Sequence, residues 1–208
     1  MATANMDKLI APQLAKQLDE LRQDLHRHPE LSWQETKTSD RLHAALTALN
    51  PKSLQRVAKT GIVARIAGRN ANAPIVAIRG DIDALPIQED TGLPYASANA
   101  GVMHACGHDV HATWTVGAAA LLAENPAMGD VLVVFQPAEE VGEGAMAVLE
   151  SGALDDARVI FGAHVDRRFA VGEVVAQEGP LAASADSFEI VLTGRGAPGA
   201  RPPEGRAP

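Results

Sequence analysis

The chain has 208 residues, 46% of them apolar and 3% aromatic, and a formal net charge of -8. That length suits one ordinary domain with a core filled mainly by Ala, Val, Leu and Ile, and it is too short for two domains of average size. The acidic balance, with no block of Lys or Arg, excludes nucleic acid and anionic membrane as expected partners, because both require a basic surface.

The single cysteine, Cys106, has no partner for an intramolecular disulfide and fits a reducing compartment. No apolar run reaches the length of a membrane span, and Met1 to Lys8 carries no signal-peptide pattern, so a cytoplasmic location is expected.

In chain order, Leu14, Leu18, Leu21 and Leu25 recur at helical spacing. His28-Pro29 ends this first helix near Arg27, since a residue before proline is pushed out of helical conformation. A second helix is expected over 35–49, with Leu42, Leu46 and Leu49 inward and Asn50-Pro51 closing it. From Gly61 the pattern changes to short apolar runs that suit strands buried on both faces, at 62–66, 75–78, 131–135, 159–161, 171–175 and 188–192. Helices are expected near 110–123 and 144–150 between them. This alternation predicts an α/β fold, a largely parallel sheet flanked by helices, with some antiparallel pairing after Val159. Residues 1–193 are read as one domain portion, and 194–208 as a Gly/Pro/Arg-rich connection without periodicity.

Three of these strands are followed at once by groups capable of chemistry: Asp81 and Asp83, then Glu139 and Glu140, then His164. In an open α/β sheet the carboxyl ends of parallel strands face one crevice, where ligands bind. A fourth contribution is His104-Ala105-Cys106-Gly107-His108-Asp109-Val110-His111, just before a helix; Cys106 and His108, with Gly107 relieving crowding between them, can both reach one metal. Taken singly, each has an ordinary explanation as a buried thiol, turn aspartates or a core histidine. Their joint placement at four consecutive element boundaries favours a metal site. Adjacent Glu139 and Glu140 suit one metal-bound and one proton-moving carboxylate, and adjacency does not say which is which.

The strings Leu25-His26-Arg27-His28-Pro29-Glu30-Leu31, Arg79-Gly80-Asp81-Ile82-Asp83-Ala84-Leu85-Pro86-Ile87, Gly101-Val102-Met103-His104-Ala105-Cys106-Gly107-His108-Asp109 and Phe135-Gln136-Pro137-Ala138-Glu139-Glu140 resemble a known family. It is the aminoacylase/carboxypeptidase-type metallopeptidases, in particular their amidohydrolase branch of hippurate hydrolases, N-acyl-amino-acid amidohydrolases and plant auxin-conjugate hydrolases. The resemblance runs from about Leu21 to Gly196. It implies a Zn-peptidase-like (phosphorylase/hydrolase-like) catalytic domain with an inserted lid domain that carries the dimer contact, and two divalent metal ions, Zn or Mn. It makes Cys106, His108, Glu140 and His164 metal ligands, Glu139 the general base and Asp83 a carboxylate that orients a ligand. A thiolate can bridge two cations, whose charge would hold it deprotonated. The implied reaction is hydrolysis of the amide bond of N-acyl amino acids by a metal-activated water. A short-peptide aminopeptidase or carboxypeptidase is the runner-up, and an inactive fragment that only binds metal or a partner is the third reading.

The chain departs from that family at its end. The family's lid domain and a later metal-binding His have no counterpart here, and Pro198 stands where the family's Gly-rich turn carries a His. The tail reads as frameshifted or prematurely ended, which predicts an incomplete metal pair and weak or no amidase activity for this chain alone. Residues 194–199 formally match the Gly-x-Gly-x-x-Gly dinucleotide fingerprint, but Pro198, the missing helix and the missing acidic residue downstream argue against it. His26 and His28 are expected to be structural, while His104 and His111 stay open between supporting the ligands and lying at the surface.

Overall fold

The structure, a computed structural model, describes residues 10–180 and residues 188, 190, 191, 193 and 194. Helix α1 (Pro12–Arg27) opens on a proline, whose missing N–H costs nothing in a first turn, and closes where the His28 N–H turns back to the carbonyls of Asp24 and Leu25. Helix α2 (Thr36–Thr47) receives no cap from Glu35, the residue at its N-cap position. The carboxylate of Glu30 does that work, accepting from Lys37 N at 3.2 Å and Thr38 N at 2.8 Å.

Five strands follow: β1 (Ser53–Val57), β2 (Gly61–Ile66), β3 (Ile75–Asp81), β4 (Val131–Gln136) and β5 (Ala157–Gly162), in the sheet order β1-β2-β4-β3-β5. Helix α3 (His108–Glu124) carries the chain from β3 to β4, and α4 (Gly144–Glu150) from β4 to β5. Period-two alternation divides the core between the two faces of the sheet. Ile62, Ala64, Ile66, Val133 and Phe135 pack with Leu25 of α1, Leu42 and Leu46 of α2, and Ala112 and Val116 of α3. Val63, Leu132 and Val134 pack instead with Val148 of α4. Central β4 is therefore buried along its whole length, as its unbroken apolar run requires.

All four expected helices form, with ends within two residues of the expected positions, and the strands expected at 62–66, 75–78, 131–135 and 159–161 form as well. Other expectations need correction. The run 171–175 forms no strand; Val171 and Val174 are exposed, and no described strand supplies the backbone partners that an extended segment needs. Of the run 188–192, Glu189 and Leu192 lie outside the described residues, and Phe188, Ile190 and Val191 are in no strand. Residues 195–208, including Pro198, also lie outside them. Among the described residues antiparallel pairing occurs between β1 and β2 and between β2 and β4, not after Val159. With β3 parallel to both β4 and β5, the sheet is evenly mixed. Strand β1 escaped the sequence reading because only Leu54 and Val57 along it are even partly covered. Among the described residues strand β5 pairs with β3 alone, and Val159, Ile160 and Phe161 are exposed and not buried on both faces.

The chain divides into two compact units, residues 1–166, which hold every named element, and residues 167–208. In the second, Glu173 N donates to Ala170 O at 3.0 Å and Ala170 N to Glu173 Oε2 at 3.1 Å, closing a turn. Among the described residues no helix is long and apolar enough to cross a membrane.

Asp130, buried just before β4, ties three segments together by accepting from Lys52 Nζ at 2.8 Å, Arg65 Nε at 2.6 Å and Gly68 N at 2.7 Å. Burial alone would raise its pKa, but these donors outweigh burial and hold the carboxyl at about 2, below the ordinary 3.8. Because the folded pKa is depressed, the stabilisation is complete above the unfolded value and is lost as pH falls toward 2. Asp130→Asn is expected to lower stability at neutral pH and to flatten the acid limb below the ordinary carboxyl pKa. Urea unfolding midpoints measured across that range check both effects.

Candidate metal centre

The parallel register of β3, β4 and β5 brings their carboxyl ends to one side of the sheet. Asp81 ends β3 and Asp83 follows it, Glu139 and Glu140 follow β4, His164 follows β5, and His108 is the first residue of α3. Gly107, between Cys106 and His108, adopts φ 94°, and a Cβ there would lie 2.4 Å from Val165 Cγ2. Only glycine fits both the space and the left-handed backbone.

Two imidazoles are held in the same way. His108 donates from Nδ1 to the Asp83 carbonyl at 2.9 Å, and His164 donates from Nδ1 to the Val165 carbonyl at 2.7 Å. Each ring is thereby left with a lone pair on Nε2, the tautomer that a ligating histidine needs. His164 Nε2 lies 3.4 Å from Cys106 Sγ. His108 Nε2 lies 3.7 Å from both Glu139 Oε2 and Glu140 Oε1. The ligand atoms of Cys106, His108 and His164 fall within 4.8 Å of one another, as do those of His108, Glu139 and Glu140. His108 Nε2 and Glu140 Oε1 are both buried without a hydrogen-bond partner. Two buried acceptors turned toward each other, each costing about 1–3 kcal/mol if left unpaired, fit a cation between them.

The electrostatics agree. Burial pushes the Cys106 thiol up to about 12, and the charges of Glu140, Glu139 and Asp81 add to the rise. Glu140 is raised by burial, with Glu139 and Asp83 adding to the rise and His108 opposing it. Burial disfavours charge on His108, but Asp83, Asp81 and Glu140 outweigh it and raise the ring's pKa. A divalent cation would reverse all three tendencies, favouring thiolate, carboxylate and neutral imidazole. The mixed S, N and O donor set suits a divalent transition metal.

Asp83 sits behind this cluster with both oxygens occupied. Oδ1 accepts from Glu139 N at 3.0 Å, and Oδ2 accepts from Glu140 N at 3.1 Å and Ser32 Oγ at 2.6 Å. Burial works against its charge, yet contacts with His108, Ser32, Glu140 and Glu139 hold it down at about 2.

Asp81, His108 and His111 also lie close enough to surround a cation. The lone pairs of Asp81 and His111 in that group are already committed. His111 donates from Nδ1 to Asp81 Oδ1 at 2.7 Å and accepts from Val165 N on Nε2 at 3.0 Å, while Asp81 Oδ2 accepts from Arg79 Nη1 at 2.5 Å. Fully buried and stacked on Trp114, His111 holds the segment that carries His164.

His104 is buried too, and burial drives its pKa to about 4. His26 is buried against Asp109 Oδ2 at 2.8 Å and Glu89 Oε1 at 3.2 Å, whereas half-buried His28 donates to Asp24 O at 2.9 Å. Sequence reasoning passed over Ser32, Glu35 and Arg79, because hydrogen bonds between segments leave no periodic trace. An open apolar groove of about 380 Å³, lined by residues including Val134, Val148 and Ile160, shares no residue with the centre.

Residues 77–201, more than half of the chain, match the family model for peptidase family M20/M25/M40. The chain belongs to this family. It is 49% identical over 179 residues to N-acetylcysteine deacetylase of Bacillus subtilis (strain 168), a match covering 85% of this chain and 47% of that protein. It is 41% identical over 184 residues to IAA-amino acid hydrolase ILR1-like 4 of Arabidopsis thaliana, covering 88% and 41%. The solved structure of the YXEP protein of Bacillus subtilis, a dinuclear metal binding peptidase of the M20 family, matches with a TM-score of 0.79 at 45% identity, covering 82% of this chain and 49% of that one. The chain thus spans about half the length of these relatives. The family resemblance and the α/β fold class read from the sequence are both confirmed.

With its thiol near 12, Cys106 in metal-stripped protein holds little thiolate near neutrality. Even allowing for the greater nucleophilicity of a more basic thiolate, it is expected to react with iodoacetamide at about pH 8 roughly a hundredfold more slowly than a free thiol. A rate equal to that of glutathione would show that the pocket does not keep this thiol protonated.

Proposed function

We propose that this chain carries the metal centre of an enzyme that hydrolyses the amide bond of N-acyl amino acids, hippurate-like substrates among them. In this reading Cys106, His108, Glu140 and His164 are the metal ligands, Glu139 is the general base and Asp83 orients the ligands. The observation that carries it is the convergence of two Nε2 lone pairs and the unpartnered Glu140 Oε1 beside the Cys106 thiol. The names of the relatives, a deacetylase of N-acetylcysteine and a hydrolase of IAA-amino acids, support an N-acyl amino acid as substrate.

The proposed cofactor is a pair of divalent ions, Zn or Mn. Cys106, His108, Glu140 and His164 would hold it, supplying one sulfur, two nitrogen and one carboxylate ligand. A bound cation would supply polarisation of the scissile carbonyl and acidification of a nearby water. Glu139, with 40% of its side chain exposed, opens toward substrate, while Glu140, at 19%, is turned into the ligand cluster. Glu139 therefore takes the proton of the attacking water and delivers it to the departing amine as the C–N bond breaks. Asp83 holds the amides of both glutamates and keeps the base and the ligand in register.

A short-peptide aminopeptidase or carboxypeptidase is the second reading, favoured by the description of the YXEP protein as a peptidase. In either reading residues 1–193 are the N-terminal part of the catalytic domain, and 194–208 are an aberrant or truncated start of the lid-domain connection.

Co²⁺ is the direct probe of the centre. It is expected to bind with a near-ultraviolet thiolate-to-cobalt absorption that Cys106→Ser abolishes and Glu139→Gln leaves intact. Benzoyl-glycine hydrolysis with Mn²⁺ or Zn²⁺ is the activity to follow, and Glu139→Gln is expected to remove it without displacing metal. Undiminished turnover in Glu139→Gln would overturn the assignment of the base.

A further inference from the structure

Glu35 belongs to no ligand set, yet it is fully buried at the start of α2, where an unpartnered carboxyl would be costly. Its two oxygens reach different elements. Oε1 accepts from Ala138 N at 2.8 Å, and Oε2 accepts from Thr60 Oγ1, just ahead of β2, at 2.7 Å.

Ala138 immediately precedes Glu139. It is buried and has φ 49°, a left-handed conformation that costs an L-residue roughly 1–2 kcal/mol. Such a conformation persists only where the surroundings over-determine it. The next two amides, those of Glu139 and Glu140, end on Asp83. Three consecutive N–H groups, 138 to 140, are therefore gripped by two buried carboxyl groups arriving from separate segments. Without the grip at Ala138, the residue could relax to negative φ and swing both following side chains.

We propose that Glu35 is a positioning residue, whose carboxyl clamps the Ala138 amide and so fixes the left-handed turn that aims Glu139 and Glu140 into the metal centre. The inference rests on the reading of that centre given above. Reach is what the clamp requires. Glutamine keeps an oxygen for the Ala138 N–H and an amide for Thr60 Oγ1, whereas aspartate keeps a carboxyl but is one methylene too short to bridge the two.

Co²⁺ titration followed by the thiolate absorption, with far-UV circular dichroism confirming the fold, separates the possibilities. Glu35→Asp is expected to weaken Co²⁺ binding by about 10–100-fold, the usual cost of losing a residue that supports a ligand. Glu35→Gln is expected to bind as the wild type does. Ile66→Val, a truncation in the core at the far end of β2, is expected to lower stability and leave the affinity unchanged. Wild-type affinity in Glu35→Asp, or an equal loss in Glu35→Gln or Ile66→Val, overturns the inference while leaving the metal centre standing. A wild-type protein with no thiolate absorption removes the metal centre and the inference together.

Discussion

Asp83 holds both sides of the centre at once. Its carbonyl accepts from His108 Nδ1 and so leaves Nε2 as a lone pair, while its carboxylate accepts the amides of Glu139 and Glu140. Ligands from the start of α3 and from the end of β4 are thus referred to one residue just past β3. That arrangement depends on the parallel register of β3 and β4, which sets Asp81 opposite Gln136 and lets the chain ends that follow them meet. A shift of one residue in that pairing would turn every side chain of β4 to the opposite face and carry the glutamates out of range.

Around this point the protein accepts local costs. A half-buried thiol, buried carboxylates and two unpartnered acceptor atoms lie within a few ångströms of one another. Ala138 and Trp33 hold left-handed backbone without being glycine. Such costs persist only when the rest of the fold outweighs them, and here the larger apolar cluster between the sheet and α1, α2 and α3 does so. Any cation that binds the folded centre and not the unfolded chain adds its binding free energy to that balance.

Much of this was legible in the residues themselves. The apolar runs of β2 and β4 announced buried strands and that of β3 a strand that is only partly covered, and Cys106-Gly107-His108 announced a loop whose glycine was needed for space, which Val165 now explains. Hydrophobic patterning failed where a segment's fate depends on its neighbours. Strand β1 is half-polar and forms because β2 offers it an edge, whereas the apolar run 171–175 pairs with no described strand. Strand β5 has an apolar sequence and an exposed position because, among the described strands, it pairs with β3 alone.

The sequence alone determined the four helices, strands β2 to β5, the family and the short stretch of chain on which each candidate ligand sits, because helix and strand periods, turn residues and motif strings are local properties. Only the tertiary structure decided which lone pairs are free. His108, His111 and His164 are alike as letters, yet the carbonyls of Asp83 and Val165 leave Nε2 unprotonated and facing the ligand cluster on two of them, while Asp81 and the Val165 amide occupy both nitrogens of the third. The reason is physical: a tautomer is set by the hydrogen bond at the opposite nitrogen, and each of those bonds, the short one from His164 to Val165 excepted, comes from a segment distant in the chain.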